Sequence, residues 1–141
     1  MELDDLYREI LIDHYRHPRN AGPVDDAELA AEELNPTCGD RVRLAVELKD
    51  GRIERVCHQS RGCVISTASA SMMSEFARGL TPQEFAQKAG AFIAMMRGEA
   101  AWRPEGLEDL AALEGVKKYP LRIKCATMCW HALKTAMGKT T

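Results

Sequence analysis

No C-x-x-C pair occurs among the five cysteines of this 141-residue chain, and the separations Cys38 to Cys63 to Cys125 match no zinc-finger or ferredoxin spacing. A metal site built from these residues must therefore be assembled by the tertiary fold. Charge of one sign is also missing: 19 basic against 21 acidic side chains leave a formal charge of −2. No Lys/Arg cluster dense enough for a nucleic-acid footprint appears. No apolar run approaches the roughly 20 residues of a membrane span. The acidic start Met1-Glu2-Leu3-Asp4-Asp5 lacks the apolar stretch of a secretory signal, so neither a membrane nor a nucleic acid is an expected partner and the expected location is the cytoplasm. Internal repeats, low-complexity tracts and flexible linkers are absent too.

What is present suits one globular domain over residues 1–141: 45% of the residues are apolar and the charges are dispersed, which is enough to fill a core at this length. In a reducing compartment disulfides are disfavoured, and five thiols cannot all pair. Metal binding, thiol chemistry or core packing must account for them.

The periodicity points to an α+β chain with a small antiparallel sheet packed against several helices. Leu3, Leu6, Tyr7, Ile10 and Leu11 form a helical stripe that stops before Pro18. Arg41 to Lys49 alternates through Val42, Leu44, Val46 and Leu48 as a half-buried strand does. Asp50-Gly51 is a tight-turn pair, the return strand runs over about Arg52–Gln59, and Ala30–Leu34 supplies a third. Helical spacing resumes at Val64, with Ser66, Thr67 and Ser69 as candidate caps, and ends at Gly79. Thr81-Pro82-Gln83-Glu84 has the form of a capping box opening another helix. Gly98 to Lys118, broken by Pro104, Gly106 and Gly115, is expected to be an inserted surface element with a short helix near Leu107–Leu113. A last helix is expected over about Cys125–Met137.

A cysteine taken singly is most often a small buried hydrophobe, so context must decide. Cys38 lies in Asn35-Pro36-Thr37-Cys38-Gly39-Asp40, where proline and glycine make a turn that can aim a thiolate and a carboxylate the same way. Cys63 and Cys125 are each expected at a helix start, where open N–H groups and the helix dipole favour a thiolate. Arg61 and Lys124 push in the same direction. Three thiolates and one carboxylate suit tetrahedral Zn²⁺ or, shared between two irons, a [2Fe–2S] unit. The oxygen ligand is the harder donor, and in place of a fourth sulfur it would leave the site exchangeable.

Tyr7, Asp13-His14-Tyr15, Pro18-Arg19-Asn20 with Gly22, Asn35-Pro36 leading into Cys38-Gly39-Asp40, and Gly62-Cys63-Val64-Ile65-Ser66 with Ala68-Ser69-Ala70-Ser71 together resemble the IscU family, nearly end to end. Arg122-Ile123-Lys124-Cys125-Ala126-Thr127 with Trp130-His131-Ala132-Leu133, Lys124 where the other branch has histidine, and an insertion at about 98–116 resemble its SufU-type branch. The resemblance implies a SufE/NifU-like α+β fold and a site of Cys38, Asp40, Cys63 and Cys125. It implies Zn²⁺ there, or alternatively a transient [2Fe–2S] cluster or Fe²⁺. The implied partners are a cysteine desulfurase and apo iron–sulfur proteins or a downstream scaffold.

Three functions remain open at this level. The first is acceptance of persulfide sulfur at Cys38, supported by Arg122 and Lys124. The second is a non-enzymatic scaffold that assembles and transfers a cluster on the same ligands. The third is a zinc-stabilised interaction domain without cargo. Cys57 and Cys129 fall outside the resemblance, with core packing favoured for Cys129, and His58 and His131 are reserve ligands.

Overall fold

A computed structural model of the chain describes residues 3–24, 29–36, 39–99 and 108–138. Helix α1 (Leu3–Arg16) ends ahead of Pro18 as the pattern requires. Tyr7, Ile10 and Leu11 pack against the core, while the side chains of Leu3 and Leu6 lie outside the described set. Strands β1 (Ala30–Asn35), β2 (Asp40–Lys49) and β3 (Arg52–Arg61) form an antiparallel sheet in the order β1-β2-β3. Val42, Leu44 and Val46 point from β2 into the core with 0–3% exposure, since alternate residues of a strand face opposite sides. Asp50 (φ 55°) and Gly51 (φ 77°) both sit at positive φ between β2 and β3, the turn whose twist matches paired strands.

Helix α2 (Val64–Phe76) packs on β3 and on α4 (Pro120–Gly138), which in turn lies against β1, β2 and α3 (Pro82–Met96). At α3 the capping box is complete: the Thr81 hydroxyl accepts from Glu84 N at 3.1 Å and the Glu84 carboxylate accepts from Thr81 N at 3.0 Å. Trp130 of α4 is fully buried between Phe85, 5.7 Å away and nearly parallel, and Phe92 at 4.3 Å. Its indole N–H donates to Ser69 Oγ at 3.0 Å, so the largest core side chain carries its polar atom inward without leaving it unpaired. No described helix is long and apolar enough to cross a membrane.

Three expectations need correction. The cap of α2 is none of Ser66, Thr67 and Ser69, which lie inside the helix; it is Cys63, whose sulfur accepts from Ser66 N. Helix α4 begins at Pro120 rather than Cys125, because proline at a first helical position starts a helix instead of preventing one. The segment after Gly98 is not a surface element where it is described. Glu108–Lys118 forms a 3₁₀ helix, and Leu110, Leu113 and Val116, three residues apart, are all at most 5% exposed. With three residues per turn that spacing is one face, a stripe invisible to a 3.6-residue period. Residues 100–107 of the insertion lie outside the described residues.

Candidate metal centre

Strand β1 delivers Asn35 and β2 starts with Asp40, and the two are register partners. The link between them is closed by the Gly39 N–H, which donates to Asn35 O at 2.8 Å. Cys38, the sulfur that the sequence puts foremost, lies outside the described residues with Thr37.

Asp40 is 2% exposed, and a carboxylate that deep requires partners. Its Oδ1 accepts from Cys63 N at 2.9 Å, and the Cys63 thiol donates to Oδ2 at 3.3 Å. Such an approach demands Gly62, which stands at φ 135°; a Cβ there would overlap Asp40 Oδ1 and come within 2.7 Å of its Cγ. Only glycine meets both conditions. Cys63 is therefore fixed twice, by Asp40 and by capping α2, where Ser66 N donates to its sulfur at 3.4 Å. Its half-buried position at an N-terminus keeps the expected exposure to the helix dipole.

Cys125 differs from the sequence expectation. It stands five residues into α4 and is fully buried, so its own N–H belongs to the helix ladder and the dipole argument does not apply to it. Its sulfur instead accepts from the Asn35 side-chain amide at 3.4 Å. The carboxylate of Asp40 and the sulfurs of Cys63 and Cys125 lie within 4.8 Å of one another. Tetrahedral Zn–S bonds of about 2.3 Å put two sulfurs about 3.8 Å apart, so these three donors need close by only about 1 Å to bind one ion. The donor set fits zinc or an iron–sulfur unit.

The other candidates separate from this group. Cys129 is fully buried; burial pushes its thiol up to about 12, against a hydrogen bond with Ser69. It is a core thiol, absent from the metal-capable cluster among the described residues. Cys57 is half-buried, with its thiol 3.5 Å from Pro23 O. His58 holds a loop: its Nε2 donates to Arg19 O at 2.8 Å, and burial pulls its pKa below the usual histidine value. In that loop Arg19 N donates to Ser71 Oγ and Asn20 Nδ2 to Ser74 Oγ, which explains the Pro18-Arg19-Asn20 pattern as packing against α2. His131 is also pulled down, by partial burial and then by Lys124, Lys134 and Arg97. Neither histidine joins the donors. Arg122 and Lys124 are exposed in the first two turns of α4, Arg122 three residues before Cys125 and so on its side of the helix. Asn35 and Gly62 are the functional positions the sequence reading passed over, although both stand inside the quoted motifs.

The model of the NifU-like N-terminal domain matches residues 6–138 of the chain. The chain belongs to that family. Among relatives of this NifU-like domain, the zinc-dependent sulfurtransferase SufU of Bacillus subtilis is 42% identical, over 97% of this chain and 92% of its own. The iron–sulfur cluster assembly scaffold protein IscU of Streptococcus pyogenes is 37% identical, over 99% and 87%. A solved structure from Fervidobacterium islandicum, described as a cluster assembly scaffold of the SUF system, superposes with a TM-score of 0.83 at 29% identity, covering 94% of this chain and 97% of that one. The NifU-like chain thus shares its fold with proteins of iron–sulfur cluster assembly.

Proposed function

We propose that this protein, acting in the cytosol as a single domain, accepts persulfide sulfur from a cysteine desulfurase at a zinc site made of Cys38, Asp40, Cys63 and Cys125. The observation that carries the reading is the convergence of the Asp40 carboxylate with the Cys63 and Cys125 sulfurs within 4.8 Å, directly beside the link that contains Cys38. The similarity to a protein named as a zinc-dependent sulfurtransferase supports it. Bound Zn²⁺ would keep the thiols deprotonated and tie the β1–β2 link, the start of α2 and the first turns of α4 together.

In the transfer step the Cys38 thiolate attacks the terminal sulfur of the desulfurase persulfide. A new S–S bond forms on Cys38, the S–S bond on the desulfurase breaks, and the electron pair leaves with the desulfurase cysteine as its thiolate. Cys125 is a poor acceptor because it is fully buried, and Cys63 because it is held by Asp40 and by the start of α2. Arg122 and Lys124 add positive charge where an anionic persulfide arrives. Asp40, the hard donor, keeps the centre exchangeable.

The scaffold reading, in which an iron–sulfur cluster is assembled on the same donors and passed to apo-proteins, is favoured by the likeness to proteins named IscU scaffolds. Desulfurase turnover separates the two. Under the sulfur-acceptor reading the wild-type protein accelerates the desulfurase and carries one added sulfur by mass, and Cys38→Ala does neither. A desulfurase indifferent to this protein, combined with cluster transfer to an apo-ferredoxin, would replace the first reading by the second. Metal binding with neither activity would leave the cargo-free interaction domain.

A further inference from the structure

Asn35 is 4% exposed at the last position of β1, and three of its groups reach different parts of the site. Its backbone pairs with Asp40 across the sheet. Its carbonyl accepts from Gly39 N and closes the link that contains Cys38. Its side-chain amide lies 3.4 Å from the Cys125 sulfur, at normal N–H···S range. A metal-bound thiolate has no proton to give, so the amide must face it with its N–H and not with its oxygen. Cys63 already has a backbone donor in Ser66 N. Cys125, inside a helix, takes a side-chain donor from another element.

We propose that Asn35 is a positioning residue of the metal centre: its side-chain N–H fixes the Cys125 sulfur and stabilises its lone pair, while its carbonyl closes the link from β1 to β2 at the same point. This rests on the metal-centre reading above and deepens it. A hydrogen bond to a ligand sulfur draws electron density from the metal–sulfur bond, and partners of this kind orient the ligand as well. Cys125 is thereby held from β1 as well as from its own helix.

The test uses metal spectroscopy on the full chain. Wild-type protein loaded with Co²⁺ is compared with Asn35→Leu, which keeps the volume and removes the donor. The expected result is a sulfur-to-cobalt charge-transfer band in the wild type that moves to lower energy in the variant, with zinc affinity reduced roughly 10–100-fold. A second measurement needs no variant: in ¹¹³Cd-loaded, ¹⁵N-labelled wild type, one Asn35 side-chain amide proton shows scalar coupling to cadmium through the N–H···S bond. A wild-type charge-transfer band with a superimposable Asn35→Leu spectrum, and no cadmium coupling at Asn35, overturns the role of Asn35 and leaves the metal centre intact. No charge-transfer band in the wild type overturns the metal centre itself, and Asn35 with it.

Discussion

Replacing Gly62 with alanine tests whether the approach of Asp40 to Cys63 holds the site together. The added Cβ would overlap Asp40 Oδ1 and sit 2.7 Å from Cγ, with the backbone at φ 135°. Holding a non-glycine residue in so sparse a region costs about 1–3 kcal/mol. Pushing the carboxylate away from Cys63 N, now 2.9 Å distant, forfeits a charged hydrogen bond of about 1.5–3 kcal/mol. The sum, about 2.5–6 kcal/mol, is a large part of a typical domain stability of about 5–15 kcal/mol. With a urea m-value near 2 kcal/mol/M, the metal-free midpoint should fall by about 2 M. Gly51→Ala is the internal control: φ is 77° but nothing lies within 4 Å of the new Cβ, so only strain of about 1–2 kcal/mol applies. Urea titration followed by circular dichroism gives both values, and zinc competition with a chelator gives the metal affinity. Gly62→Ala should lose zinc binding and Gly51→Ala should keep it. Equal midpoint shifts with zinc retained in both would refute the claim that Gly62 exists to admit Asp40.

Leu113→Ala should destabilise the fold by about 2–5 kcal/mol in the same titration, because a fully buried side chain leaves a cavity; a surface insertion would lose under 0.5 kcal/mol or so. Ser69→Ala should cost about 1–3 kcal/mol by leaving the Trp130 indole N–H unpaired, visible as altered tryptophan fluorescence as well as a lower midpoint. Cys129→Ala should leave zinc stoichiometry unchanged, since that thiol, raised to about 12 by burial, belongs to the core; elemental measurement of the purified variant checks this. Burial lowers the pKa of His58 from 6.5 in the folded state. The unfolded chain therefore binds more protons below about pH 6.5, and stability falls as pH drops from there toward the folded value. His58→Gln should flatten that part of a thermal-midpoint profile against pH.

The sheet, the capping box at Thr81 and the extent of α1 could be read from the sequence because local chemistry decides them: alternation in Val42-Leu44-Val46, the Asp50-Gly51 turn, and proline after α1 and at the start of α3. The cap of α2 was missed because serine ordinarily outcompetes cysteine there, while here the tertiary contact with Asp40 selects Cys63. The start of α4 lies ahead of the sequence expectation because the apolar stripe begins only at Cys125, whereas the helix opens at Pro120. The buried 3₁₀ segment was missed because its period is three. At the site, motif resemblance brought Asp40, Cys63 and Cys125 together, a grouping that spacing alone could not reveal. Cys125 departs from the expectation of a helix-start thiolate, since it lies inside α4 and meets Asn35, 90 residues away in the chain, and no local pattern reports such a contact.

The most direct test of the central claim is zinc K-edge X-ray absorption on the stoichiometrically loaded protein. The account predicts a first shell of three sulfurs near 2.3 Å and one oxygen near 2.0 Å, with the oxygen lost in Asp40→Ala and one sulfur lost in each of Cys38→Ala, Cys63→Ala and Cys125→Ala. A shell of four sulfurs, or one indifferent to Asp40, would contradict it.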